Sequence, residues 1–93
     1  MSGEFPPEEK FAMAQQIRRA TLSVLLNITE GCSRKSLSER RRYFEVARGS
    51  LIEVDTALDI AVCLDFCTNE DLSNLGVEII KTFKILSGMI KAE

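Results

Sequence analysis

The stretch Gln16–Ser36, QIRRATLSVLLNITEGCSRKS, combines many branched apolar residues with a regular series of polar ones. Four polar residues recur in it at helical spacing: Gln16, Ser23, Asn27 and Glu30. At about 100° per residue, they fall within a band roughly 60° wide. This polar stripe is either the solvent-facing side of an otherwise buried helix or a polar seam between packed helices. Both interpretations make the stretch helical and give the stripe a structural role.

Start and stop signals divide the chain into three helices. Pro6-Pro7, followed by two glutamates, starts a first helix, for which Gly31 is a natural C-cap. The capping box SLSE at residues 36–39 starts a second helix, and TNED at residues 68–71 is a looser form of the same signal. The predicted helices span about residues 7–30, 36–66 and 69–91. Since no strand pattern occurs, the sequence predicts one all-α domain over residues 1–93.

The predicted helices differ in how much of their circumference is apolar. The second carries Phe44, Ala47, Leu51, Val54, Leu58 and Ala61 on its inner side, and the third carries Leu72, Leu75, Ile79, Phe83, Leu86 and Ile90. The first has two apolar faces, Met13, Ile17, Val24 and Ile28 on one and Phe11, Leu22, Leu25 and Leu26 on the other. Together these faces cover roughly 220°, about twice the usual width. Three helices provide too few neighbours, so we expect a further helix or another subunit to cover the rest.

Gly49 lies in the middle of the second predicted helix, where glycine costs about 1 kcal/mol relative to alanine. That cost favours a close helix crossing that needs a missing side chain. The alternative is a single tolerated glycine.

An ordered series of motifs resembles one bacterial family. Residues 16–20 (QIRRA), 23–24 (SV) and 27–31 (NITEG) are similar to the signature Q-I-R-R-A-x-x-S-I-P-x-N-I-A-E-G of the four-helix-bundle proteins known as 23S rRNA intervening-sequence proteins. Those proteins are relatives of the accessory variability determinant proteins of diversity-generating retroelements. The resemblance covers about residues 5–91 and includes Arg34, Ser36, Glu39, residues 47–50, Glu53 and Thr56. Leu25 stands where the family has proline. The family's long first helix is expected to be lacking here, and the alternatives are a fragment, a misassigned start site or a genuine three-helix variant.

The resemblance implies an antiparallel helical bundle that assembles into a homo-oligomeric ring, with a homopentamer favoured. It implies no enzymatic activity. The retroelement relatives are implicated as partners of a reverse transcriptase and its RNA template. The resemblance therefore makes RNA or DNA, and a polymerase-type protein, expected partners besides a second copy of the chain.

If the polar stripe is a seam, it joins residues of the second helix. Glu53 and Thr56 lie three apart on one face of that helix, and Arg19 lies beside the stripe. A buried Arg19–Glu53 pair would then fix the helix register. The predicted structural polar network consists of Gln16, Arg19, Ser23, Asn27, Glu30, Glu53 and Thr56. The alternative is that the stripe faces water.

The segment between the first two helices is strongly basic, although the chain has a net charge of −2. Residues 32–43, CSRKSLSERRRY, contain five cations and a single anion. Hydroxyl groups and a helix N-terminus add donors that suit phosphate, and Tyr43 adds one stacking surface. In a ring of five copies, about 25 positive charges would lie together. The candidate nucleic-acid-binding residues are Arg34, Lys35, Arg40, Arg41 and Arg42. The alternative is a solvated turn whose arginines pair with nearby acids.

Composition argues against catalysis and against a membrane span. The chain has no histidine, the commonest general base at neutral pH, and it has no phosphate loop, nucleophile elbow or metal-ligand cluster. No apolar run approaches the roughly 20 residues that span a bilayer. Three cysteines and no secretory signal favour a reducing, cytoplasmic location. We therefore expect no enzyme, cofactor, metal or membrane association.

Two functional hypotheses follow. The first is a non-catalytic oligomeric adaptor that binds nucleic acid through the basic inter-helix turn, together with a protein partner. The second is a protein-binding or scaffolding module with no nucleic-acid role. The salt dependence of binding distinguishes them, because phosphate binding weakens steeply with salt and apolar docking does not.

Overall fold

The computed structural model describes residues 7–92, which form three α-helices and no strand. The helices are α1 (Pro7–Ser33), α2 (Leu37–Cys63) and α3 (Ser73–Ala92). The all-α prediction is confirmed. Pro6, half of the predicted start signal, lies outside the described residues.

Helix α1 runs beyond its predicted end, and Gly31 is not a C-cap. No glycine among the described residues has a positive φ, so Gly31 does not adopt the left-handed conformation of a helix stop. The last turn is instead closed by the Ser33 hydroxyl, which donates to the Glu30 carbonyl at 2.8 Å. The Arg34 N–H donates to the Gly31 carbonyl at 3.3 Å. Gly31 is buried and packs against Phe44 of α2.

Helix α2 begins with the predicted cap. Ser36 has the extended conformation of an N-cap, with φ −76° and ψ 133°, and its hydroxyl accepts the Glu39 N–H at 3.4 Å. Helical backbone begins at the next residue, Leu37. The turn between α1 and α2 is therefore short, and the two helices form a hairpin.

A Schellman motif ends α2 at Cys63, three residues before the predicted end. The Asp65 N–H donates to the Val62 carbonyl at 3.0 Å, and the Phe66 N–H donates to the Ala61 carbonyl at 2.9 Å. Asp65 adopts a φ of 61°, the left-handed conformation that the motif requires. This stop was not predicted because aspartate, not glycine, occupies the left-handed position.

The predicted capping residues Thr68 and Asp71 bond each other, but α3 does not begin there. The Thr68 N–H donates to Asp71 Oδ2 at 3.0 Å, and the Asp71 N–H donates to Thr68 Oγ1 at 3.1 Å. The first bond, and secondarily the Thr68 hydroxyl, lowers the pKa of Asp71. The Leu72 N–H then bonds to the Asn69 carbonyl at 3.2 Å, the i to i−3 pattern of a turn. Regular helix starts only at Ser73.

Helix α2 lies between α1 and α3, and each neighbour runs antiparallel to it. Late α1 meets early α2 at Gly31 and Phe44, whereas Ser23 meets Ser50 further along. On the other side, Arg48 reaches Ser87 at the far end of α3. No Cα atom of α1 comes within 8 Å of one in α3. The Cα atoms span 50 × 23 × 13 Å, so the helices form an open layer. The closed bundle and the ring remain predictions.

The core lies along α2, as its apolar stripe predicts. Five of the six predicted inner residues of α2 are buried, and Leu58 is half-buried. The core cluster consists of Ala20, Val24, Phe44, Ala47, Leu51, Val54, Ile79 and Leu86. The predicted stripe of α3 is only partly buried, because Leu75 and Phe83 remain exposed. Among residues 7–92, no helix covers these side chains on the open side of the layer.

The second apolar face of α1 is exposed. It consists of Phe11, Leu22, Leu25 and Leu26, whose exposed fractions lie between 55% and 63%. The expectation that three helices cannot cover both faces of α1 is therefore confirmed. Among residues 7–92, none of the helices combines the length and apolarity needed to cross a membrane.

The close helix crossing hypothesised at Gly49 is absent. Apart from its two chain neighbours and the nearby backbone of α2, no heavy atom of the described residues lies within 4 Å of a Cβ added at this position, and the residue is exposed. Gly49 faces away from both neighbouring helices, so the prediction of a close approach there is wrong.

Candidate nucleic-acid interface

Part of the polar stripe forms a seam between α1 and α2. The hydroxyl oxygens of Ser23 and Ser50 are 2.8 Å apart and share a hydrogen bond across the two helices. Asn27 Nδ2 donates to the Ser23 carbonyl at 2.8 Å and to Ser23 Oγ at 3.2 Å. All three residues are half-buried. Ser50 was not among the predicted network residues, although it falls within the motif that resembles the family.

The remaining members of the predicted network are exposed in the single chain. They are Gln16, Arg19, Glu30, Glu53 and Thr56. Within residues 7–92, no ion pair joins Arg19 to Glu53. Gln16, Glu53 and Thr56 instead line an open cavity of about 690 Å³ whose other walls are mostly apolar. The structure therefore divides the stripe into a hydrogen-bonded middle and solvated ends.

Arg34, the first candidate of the basic turn, is held by its own chain. Its Nη2 donates to Glu30 Oε2 at 2.6 Å and lies 3.4 Å from the Tyr43 hydroxyl. Its guanidinium carbon is 5.1 Å from the centre of the Tyr43 ring. The hydrogen bond to Glu30, followed by the electrostatic interaction with Tyr43, raises the pKa of Arg34. These contacts hold the Arg34 side chain between the end of α1 and the start of α2.

Arg40 is also partly engaged. Its Nη1 donates to the Arg34 carbonyl at 3.5 Å, and its guanidinium lies 6.0 Å from the centre of the Phe44 ring. The Nε atoms of Arg34 and Arg40 are shielded from solvent and have no hydrogen-bond partner in residues 7–92. Burial of Nε leaves only the outer guanidinium nitrogens for an external ligand, so Arg40 mainly closes the turn.

The side chains of the other three candidates make no polar contact with the described part of the chain. Lys35, Arg41 and Arg42 are exposed, and none forms an ion pair or hydrogen bond within the described part of the chain. Lys35 lies in the turn, and Arg41 and Arg42 lie in the second turn of α2, next to the first turn, whose backbone N–H groups lack intrahelical acceptors. Arg41 and Arg42 are consecutive and therefore project about 100° apart around α2. The structure thus separates two anchored arginines from three available cations.

A polar cavity opens next to these cations on the α1–α2 side. Its volume is about 410 Å³, and it is lined by Asn27, Glu39, Arg42, Tyr43 and Val46. Sequence reasoning included these polar residues separately but did not group them. The capping pattern predicts that Glu39 lies at the start of α2. The proximity of Glu39 to Asn27 depends instead on how α1 and α2 are aligned.

Nothing in residues 7–92 resembles a metal centre. No group of three or more His, Cys, Asp or Glu side chains is placed to hold an ion there. All three thiols are free, with Cys32 and Cys63 exposed and Cys67 half-buried.

Comparison with known proteins relates the chain, including its basic turn, to one protein family. A family model described as 23S rRNA-intervening sequence protein matches residues 1–88 of the chain. The chain matches no curated protein and no solved structure. The matched range includes α1, the basic turn, α2 and most of α3.

Proposed function

Because the chain belongs to the 23S rRNA-intervening sequence protein family, we propose that it is a non-catalytic oligomeric adaptor that binds nucleic acid. The binding surface is the free part of the basic turn, Lys35, Arg41 and Arg42. The observation that carries this proposal is that these three cations are exposed and have no ion pair within residues 7–92, whereas Arg34 is bonded to Glu30. Unpaired cations beside a helix N-terminus are suited to phosphate groups.

The two anchored arginines support the surface without being its main ligands. Arg34 bridges Glu30 and Tyr43, and Arg40 lies over Phe44, so both stabilise the turn that presents the free cations. Each phosphate that the protein neutralises releases condensed counterions, and this release supplies most of the affinity for nucleic acid. Several copies in one assembly would neutralise more phosphates together.

The first test is fluorescence anisotropy with labelled single-stranded RNA and DNA at several salt concentrations. In the variant Lys35→Ser/Arg41→Ser/Arg42→Ser, we expect affinity at low salt to fall at least about tenfold. The slope of log affinity against log salt should become shallower by about 0.7 for each phosphate that the variant no longer neutralises. The physical reason is that fewer counterions are released when the variant binds.

A matched control removes three positive charges from elsewhere. Lys81→Ser/Lys84→Ser/Lys91→Ser alters exposed lysines on α3 and should leave affinity within about twofold of the wild type. An equal fall in affinity for the two variants would mean that binding follows total charge, which contradicts a site at the turn. If the wild type binds no nucleic acid at low salt, the alternative function, a protein-binding scaffold, is favoured.

The oligomer in this proposal is supported by the exposed face of α1. Phe11, Leu22, Leu25 and Leu26 are exposed apolar residues on one face of a small chain, and exposed apolar surface of this kind marks contacts with other proteins. A second copy is the occupant we propose, with a pentameric ring as the expected assembly. A polymerase-type protein is a further proposed partner, in keeping with the resemblance to the retroelement accessory proteins.

Self-association is tested by light scattering after size exclusion. The wild type should have a mass several times the 10.4 kDa of one chain. Leu22→Ser/Leu26→Ser should shift the mass to that of the monomer, because it places two hydroxyls on this apolar face. Leu37→Ser/Val77→Ser, two exposed apolar residues on α2 and α3, serves as the control and should keep the wild-type mass. A monomeric wild type would contradict the assembly.

A further inference from the structure

We propose that the polar cavity of Asn27, Glu39, Arg42, Tyr43 and Val46 is a base pocket that selects guanine in single-stranded nucleic acid. This inference rests on the proposed function, since Arg42 belongs to both surfaces. The cavity volume of about 410 Å³ falls within the range of roughly 300–1,000 Å³ that is common for sites of small ligands.

Three polar groups of this cavity are not used by the fold within residues 7–92. Both hydrogen bonds of Asn27 are donated by Nδ2 to Ser23, which fixes the amide and leaves Oδ1 without a partner in residues 7–92. Glu39 and Arg42 are three residues apart on α2, a spacing at which opposite charges commonly pair. No ion pair joins them in this part of the chain. One amide oxygen, one carboxylate and one guanidinium therefore remain available at a single cavity.

This set of groups is complementary to guanine. A guanidinium donates two parallel hydrogen bonds to O6 and N7 of guanine, the commonest specific arginine–base contact. The guanine N1–H and N2–H₂ groups are donors, and the Glu39 carboxylate and Asn27 Oδ1 are acceptors. Adenine has a lone pair in place of the N1–H and an amino group in place of O6. The adenine N1 lone pair would therefore face the Glu39 carboxylate, an acceptor against an acceptor. The adenine amino group would face the Arg42 guanidinium, a donor against a donor.

Aromatic and apolar walls suit the faces of the base. Tyr43 lines the cavity, and its ring is held by the Arg34 guanidinium 5.1 Å from the ring centre. Val46 supplies an apolar contact. A base that stacks on an aromatic side chain and is read along its Watson–Crick edge must be unpaired, so the ligand is a single strand. Lys35 and Arg41 would hold the phosphates on either side.

The test compares short labelled oligouridines that carry one central guanosine, adenosine, cytidine or uridine. Wild-type protein should bind the guanosine RNA about tenfold more tightly than the other three, as measured by anisotropy at one salt concentration. Glu39→Gln should sharply reduce this preference, because one of the two carboxylate acceptors would be replaced by an N–H₂ group that faces a guanine donor. Affinity for the all-uridine RNA should stay constant or rise, since a negative charge beside the phosphates is removed.

Glu45→Gln is the matched control, as it removes the same charge from an exposed position of α2 outside the cavity. It should keep the guanine preference. Equal binding of all four RNAs by the wild type would overturn the base pocket but leave the proposed function standing. A guanine preference that persists in Glu39→Gln, or that disappears equally in Glu45→Gln, would also overturn the pocket. Failure to bind any of the four RNAs would overturn the pocket, and failure to bind single-stranded DNA as well would overturn the proposed function.

Discussion

Phe44→Ala is expected to lower the free energy of unfolding by about 4 kcal/mol, the largest effect of any single truncation in this chain. Phe44 has no exposed surface and is, with Leu86, one of the two large side chains that are fully buried among residues 7–91. Its ring touches Gly31 of α1 and lies under the Arg40 guanidinium. Truncation would leave a cavity at the point where the hairpin closes. Since domains of this size are stable by only about 5–14 kcal/mol, much of the stability would disappear.

The destabilisation is measured by urea unfolding followed by far-UV circular dichroism, at one protein concentration for every variant. Leu37→Ala is the control, because it also truncates an apolar side chain of α2 but one that is 59% exposed. We expect it to change the free energy of unfolding by less than about 0.5 kcal/mol. A destabilisation below about 1 kcal/mol for Phe44→Ala would contradict a hairpin organised around this ring.

Gly31→Ala is expected to destabilise the protein by about 2 kcal/mol, although alanine favours helix. An added Cβ would lie 2.5 Å from Phe44 Cε1 and 2.8 Å from Cδ1, which is too close for carbon atoms. Because Phe44 is fully buried, its ring has no free space to move into. The helices would have to separate, and the poorer packing would outweigh the gain in helix propensity.

Gly49→Ala makes the same chemical change but should raise the free energy of unfolding instead of lowering it. Apart from its two chain neighbours and the nearby backbone of α2, no heavy atom of the described residues lies within 4 Å of the added Cβ, and the position is exposed in the middle of α2. We therefore expect a gain of about 0.5–1 kcal/mol, which reflects helix propensity alone. Thermal and urea unfolding of both variants would check the pair. Equal effects of the two substitutions would contradict the close packing of Gly31 against Phe44.

The candidate interface was predictable as a basic segment but not as a binding surface. Charge places five cations around the turn, yet charge alone does not distinguish Arg34 from Arg41. The distinction arises because Glu30 lies one helical turn before Arg34 and Tyr43 comes across from α2. The polar cavity depends in the same way on the approach of Asn27 to the start of α2.

Local sequence determined the three helices, the Ser36 cap and the buried side of α2. These features depend on periodicity and on side-chain to backbone bonds within a few residues, so they can be recognised without knowledge of the neighbours. The tertiary structure decided which glycine is packed closely, Gly31 and not Gly49, which serine pairs with Ser23, and which ring Arg34 lies over. These outcomes depend on the register and separation of α1 and α2, which are set by the summed packing of many side chains across the hairpin and not by any single segment.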